Sequence, residues 1–193
     1  MECTEKKVLF PGVKDGEVFN VGGLDFIKFP DVNGKTPAVL KGIVFRNRFG
    51  RNGNFAESAV LKRLQEEVLP DIIAAVGEEN VCSFVTDLTT LDGMKTYGSI
   101  ESKIGLPTID FYRANPEIFD QYRLDAWWWL ANADSAAPRN SDWPWVCCVA
   151  PSGNINDGNY DDVNCHYGNC GNGRNGVRPF CIFDSSIFGS CEE

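Results

Sequence analysis

The chain has 193 residues, 43% of them hydrophobic and 23% charged, and a formal net charge of −9. That size fits one domain or at most two small ones, with room for a core that needs no metal or disulfide to hold it. The negative balance, with no cluster of Lys and Arg, excludes a general nucleic-acid backbone binder. No apolar run approaches the length of a membrane span, which excludes membrane insertion.

Met1 to Lys7 has no apolar run after its lysines, so a secretory signal is not expected. The reading is a chain made in the cytoplasm that reaches any outer surface by another route. Val18 to Phe29 and Pro37 to Phe45 read as two strands joined by the Asn33-Gly34 turn, hence a hairpin. A helix is predicted from about Ala56. Val60, Leu61, Leu64, Val68 and Leu69 form its apolar stripe, and Lys62, Arg63, Gln65, Glu66 and Glu67 its wet face. Asn54 is the expected N-cap, with an imperfect capping box to Glu57. Pro70 and Asp71 restart a turn through Val76, and Gly77 stops it.

Val81 to Val85 reads as a short buried strand and Thr86 to Tyr97 as a polar connection. Asn115 to Tyr122 reads as a short helix, with Asn115 as cap and Pro116 in its first position. From Asp125 the pattern is strand and loop, with Trp145–Ala150 and Val177–Phe183 as the clearest strands. In a strand Trp127 and Trp129 share a face and Trp128 takes the other. These rings, with Trp143 and Trp145, read first as core filling; a carbohydrate platform is the sharper alternative.

Eight cysteines without a signal sequence do not read as a disulfide framework. Cys82, Cys147, Cys148 and Cys181 sit in apolar runs as small hydrophobes. Cys165, His166 and Cys170 lack zinc-knuckle spacing, and Asn156, Asp157, Asp161 and Asp162 lack the register of a calcium loop. No metal or cofactor is expected. His166 is the only histidine, and its Gly/Asn-rich surroundings suit no catalytic triad.

Asn154 to Asn175 is built from Asn, Gly, Asp and Tyr, with Cys, His, Ile and Val mixed in. Tyr with Asn and Gly is the composition of antibody paratopes, where Tyr gives contact area and Asn and Gly adaptable hydrogen bonds. A solvated loop explains the Asn and Gly but not the rest. An AAC codon randomised at its adenines reaches every residue type in the segment. It cannot give Lys, Glu, Gln, Met or Trp, and none of these occurs there.

The Trp127–Leu130 opening, the run Val146 to Asn154 and the closing Gly176-Val177-Arg178-Pro179 resemble a domain family of Gram-positive gut bacteria and their phages. That family is similar to the formylglycine-generating-enzyme-like branch of the C-type-lectin fold, which includes the variable proteins of diversity-generating retroelements. Where the family has Arg-Ser-Pro after the tryptophans, this chain has Ala131-Asn132-Ala133. The resemblance implies an α+β fold: a single C-type-lectin-like domain over 1–193, with small antiparallel sheets, one main helix, a short second helix and long C-terminal loops. Residues 125–183 would be the Trp-rich scaffold of a variable loop region, and the termini would meet on a small sheet.

The implied function is ligand or receptor recognition by a hypervariable, adenine-mutagenised surface, as in phage receptor binding or surface display, and not catalysis. The contact surface would be Asn154, Asn156, Asp157, Asn159, Tyr160, Asp161, Asp162, Asn164, His166, Tyr167, Asn169, Asn172 and Arg174, with Asn140 and Asp142 as a second tier. Trp127, Trp128, Trp129, Trp143, Trp145, Arg178 and Pro179 would be scaffold. Arg178 is expected either in a buried ion pair or on backbone carbonyls beneath the loop. The partner would be a protein or glycan on a cell surface, not nucleic acid, and the oligomeric state stays open. The location would be a phage particle or a bacterial cell surface. Two alternatives remain: an oxidase of the formylglycine-generating type using Cys181 and Cys191, and a structural phage protein with no diversified ligand.

Overall fold

The computed structural model describes residues 8–50, 52–136, 146–156 and 175–189. Its architecture is mixed α+β, with one main helix of 18 residues and small sheets. The chain begins with β1 (Val18–Val21) and β2 (Leu24–Lys28), an antiparallel pair that the sequence had suggested as one strand. Gly22 and Gly23 both take positive φ, +58° and +86°, and form the two-residue turn that fits strand twist. The Asn-Gly turn lies where predicted. Asn33 and Gly34 have φ of 52° and 73°, and β2 pairs with β3 (Lys35–Leu40).

The second expected strand is also split. After Leu40 the chain leaves this sheet, and β4 (Phe45–Asn47) pairs elsewhere. Asn54 caps only a 3-10 turn over Phe55–Glu57, its Oδ1 accepting from the Ala56 amide. Ser58 caps the main helix, its Oγ accepting from the Leu61 amide at 3.0 Å. That helix runs as α1 (Ala59–Arg63), a widened π turn (Leu64–Val68) and α2 (Leu69–Val76). Pro70 has no N–H to return to Glu66, and the Leu69 amide reaches back to Leu64 O instead, which accounts for the widening. Val60, Leu61, Leu64 and Val68 are buried as the stripe requires, and Gly77 ends the helix at φ +88°.

Next come β5 (Val81–Cys82), then the ribbon of β6 (Phe84–Asp87) and β7 (Ser99–Ser102), the latter unpredicted. Two short helices follow where one was expected: α3 (Ile109–Ala114) and α4 (Pro116–Gln121). Thr108 caps α3. Asn115 does not cap α4 with its side chain; its Nδ2 donates back to Phe111 O and closes α3. The remaining strands are β8 (Trp128–Ala133), β9 (Val146–Val149), β10 (Ile155–Asn156), β11 (Asn175–Val177) and β12 (Phe180–Asp184).

Two five-stranded sheets result, ordered β1-β2-β3-β12-β5 and β10-β9-β8-β11-β4. The expected single strand Val177–Phe183 is therefore two, and Arg178-Pro179 is where the chain changes sheet. The first and last described segments meet beside the first sheet: β12 pairs with β3, and the amides of Leu9 and Phe10 donate to Ile187 O. The second sheet is covered on both faces. Trp129, Ala131, Val146 and Cys148 enter the cluster around Phe49, Leu64 and Phe183. Trp128, Leu130, Cys147 and Val149 enter the cluster around Phe29, Ile109 and Phe119. Among the described residues no helix is long and apolar enough to cross a membrane.

Candidate functional site

Most of the predicted contact surface falls in the sequence between β10 and β11. Of its residues, Asp157, Asn159, Tyr160, Asp161, Asp162, Asn164, His166, Tyr167, Asn169, Asn172 and Arg174 lie outside the described residues, as do Asn140, Asp142, Trp143, Trp145 and Cys191. Asn154 and Asn156 are described. Asn154 is exposed and its carbonyl accepts from the Ala150 amide; Asn156 pairs with Cys148 in β10. Near its two ends the expected loop is strand, at Ile155–Asn156 and at Asn175. What the structure defines is the frame from which the segment 157–174 departs and to which it returns.

The departure point is the β9–β10 hairpin, with two ladder pairs among the described residues, Ile155↔Val149 and Asn156↔Cys148. Its turn is held from outside the sheet. Tyr112 Oη donates to Gly153 O at 2.5 Å. Gly153 has φ +85°, and a Cβ there would lie 3.2 Å from Nε of Arg123. Arg123 is itself held by Asp120 at 2.7 Å. Burial, and secondarily Asp120, pushes the Tyr112 phenol above its usual pKa, so it stays a donor at neutral pH.

The return point is interior. β11 lies between β8, to which it is parallel, and β4. The Gly176 amide donates to Trp127 O at 2.7 Å, and a Cβ on Gly176 would stand 2.3 Å from Cδ1 of Ile43. Glycine is needed here for space. Arg178 follows, 1% exposed, with Nε donating to Leu40 O at 2.9 Å and a terminal nitrogen to Lys41 O at 3.2 Å. Its guanidinium lies 4.8 Å from the Trp128 ring centre and 5.7 Å from that of Phe119. Of the two roles expected for Arg178, the structure shows carbonyl capping. Burial lowers its pKa to about 10, which leaves it charged at neutral pH. It occupies one sheet-switch point and grips the other, because Leu40 and Lys41 are where the chain leaves the first sheet.

Trp128 and Trp129 are buried on opposite faces and Trp127 is half-buried, which favours core filling over a sugar platform for these three. Trp129 Nε1 donates to Asn47 O at 2.9 Å. Cys147 and Cys148 also take opposite faces, and Cys82 and Cys181 are free thiols. Cys181 is fully buried and its thiol is pushed far up, so its thiolate is not accessible as a nucleophile. Among the described residues no group of three His, Cys, Asp or Glu could hold a metal ion.

Sequence reasoning missed two residues of the frame. Tyr112 sits in an unpredicted helix, although Thr108 followed by Ile109 and Tyr112 three apart was a usable signal. Asn132 lies buried in β8. Its Oδ1 accepts from the Ile109 amide and its Nδ2 donates to Asp87 O and Thr89 O. It floors a cleft of about 250 Å³ that Asp87, Thr89, Asp110 and Arg113 help to line. No family model, no curated protein and no solved structure matches this chain.

Proposed function

We propose that the chain is a recognition protein that displays a diversified segment, 157–174, on a C-type-lectin-like scaffold, as the variable protein of a diversity-generating retroelement. The ligand would be a protein or glycan on a cell surface, met from a phage particle or a bacterial surface. The observation that carries this is the mismatch between the segment and the gap it closes. β10 and β11 are parallel and separated by β9 and β8, three strand spacings or about 14 Å. A segment of this length can reach about 60 Å when extended. Parallel strands do need a crossover, and its usual second task is to cover a sheet face. Here both faces of β8 and β9 are already filled by described residues. The length therefore has no structural task visible in the frame, while its composition is that of a binding surface and fits adenine mutagenesis.

The frame supports the same reading. The tethers described above, from Tyr112 to Gly153 and from Arg178 to Leu40 and Lys41, join residues outside 157–174, so those bonds do not use the segment's side chains. The decisive experiment is to sequence the DNA around the gene. A reverse transcriptase gene with a near-copy of the 3′ coding end, differing at adenines under codons 154–174, is the expected result. A neighbourhood with neither would remove the diversification claim. The buried state of Cys181 gives the oxidase alternative no support.

A further inference from the structure

We propose that the cleft above Asn132 binds a free basic amino acid, with the ligand's carboxylate on Arg113 and its two cationic groups on Asp87 and Asp110. The site uses no residue of 157–174 and stands apart from the display reading. Its floor is a deliberate construction. Asn132 is 6% exposed, and a buried amide is unfavourable unless its polar atoms are matched. Here they are matched by both walls. Oδ1 accepts from the Ile109 amide of α3, and Nδ2 donates to Asp87 O and Thr89 O. One buried side chain thus fixes the spacing between the walls. The wall after β6 is stapled again, because Asp87 Oδ1 accepts from the Thr89 amide and hydroxyl, and the Leu91 amide donates to Ala133 O. The α3 wall is closed by Thr108, whose Oγ1 accepts from the Phe111 amide. A cleft set in this way beforehand has little left to order when a ligand arrives.

The charges on this frame are uncommitted. Asp110 and Arg113 are three apart on α3, a spacing that commonly pairs opposite charges. Both line the cleft and both are exposed, yet neither side chain makes an ion pair or a hydrogen bond. The Thr89 hydroxyl and amide hold the Asp87 carboxyl below its usual pKa, so it is ionised at neutral pH. The cleft therefore offers two carboxylates and one guanidinium, with Leu91 and Ile109 as apolar lining. A neutral sugar would leave all three charges unanswered. An amino acid with a cationic side chain carries their complement, two cations and one anion, on an aliphatic stem. The volume of about 250 Å³ takes ~eight water-sized groups, which suits a molecule as small as lysine.

The test is calorimetric titration of the full chain with L-lysine, cadaverine and L-glutamate, repeated on Arg113→Gln and Asp110→Asn. Both positions are exposed and bond to nothing, so both variants should melt like the parent. L-lysine should bind the parent saturably and L-glutamate should not. Cadaverine has the two cations but no carboxylate, and should bind about tenfold more weakly than L-lysine, the factor for one lost charge-assisted hydrogen bond. Arg113→Gln should bring L-lysine down to the level of cadaverine. Asp110→Asn should weaken both ligands by about tenfold. Absence of saturable L-lysine binding at millimolar concentration would overturn the proposal. So would an L-lysine affinity unchanged in either variant, or L-glutamate binding as tightly as L-lysine.

Discussion

The two ends of the segment 157–174 are held in opposite ways. The return strand β11 is interior, pressed against Ile43 and Trp127, and followed at once by a buried arginine that ties two sheets together. The departure strand β10, among the described residues, is outermost in its sheet, carried by two ladder pairs and tethered through its turn. One end is fixed by packing, which is cooperative with the core. The other is fixed by a few polar contacts, which are local. Changes at the first end should therefore unfold the protein, and changes at the second should loosen only the base of the segment.

Substitution of Arg178 should have the largest effect. Arg178→Ala removes two bonds from a charged donor to buried carbonyls, each worth roughly 1.5–3 kcal/mol. It also empties the space beside the stacked rings of Trp128 and Phe119. A loss of about 4 kcal/mol in urea unfolding is expected, and Arg178→Lys should recover little of it, because an ammonium lacks the fork that serves both carbonyls. Full recovery by Lys would mean that charge alone matters there. Trp128→Ala should cost roughly 3–5 kcal/mol for the same core. Gly176→Ala comes next, at about 1–3 kcal/mol, because the new Cβ must displace Ile43. If Gly176→Ala melts like the parent, the return strand is less constrained than its contacts imply.

At the departure end the effects shrink. Gly153→Ala places a side chain at φ +85° beside Arg123, with an expected loss of about 1–2 kcal/mol. Its exchange signature should differ in kind from that of Gly176→Ala. Amides of 150–156 should open first, while β8 and β11 keep their protection. Uniform loss of protection across both sheets would make the two ends equivalent and dissolve the contrast.

The same contrast explains what was legible in the sequence. Local signals were read correctly: the Asn33-Gly34 turn, the helix stripe from Val60 to Val68, the stop at Gly77, and the alternation that puts Trp128 and Trp129 on opposite faces. These depend on periodicity and on backbone chemistry within a few residues. The largest misses depend on where a strand finds its partner. Pro37–Phe45 and Val177–Phe183 each look like one apolar strand, yet each crosses from one sheet to the other. Only Lys41-Gly42 and Arg178-Pro179 mark the crossings, two-residue breaks that the apolar residues on either side outweigh in a reading by pattern. The split at Gly22-Gly23, by contrast, was written in the sequence as a two-residue turn. The site divides in the same way. Composition pointed to the segment, and Arg178 was singled out beneath it. Tyr112 and Asn132 escaped because their roles come from contacts with residues far away in sequence.

The smallest expected effect on stability carries the most weight for function. If 157–174 is carried by a frame that does not use its side chains, then changing them together should barely move the melting temperature. Exposed positions away from special features each change stability by less than about 0.5 kcal/mol, in either direction. A variant with Asn159, Tyr160, Asp162, His166 and Asn169 all replaced by Ser should therefore melt within a few degrees of the parent. Its binding to a cell that the parent adsorbs to should nevertheless disappear, because tyrosine anchors dominate interfaces of this composition. The two measurements separate the alternatives. A large fall in melting temperature would make the segment structural, as a plain crossover or a metal-holding loop would be. Unchanged melting with unchanged adsorption would place recognition elsewhere on the molecule. Only unchanged melting with lost adsorption fits a segment whose sequence is free to vary while its two ends are held.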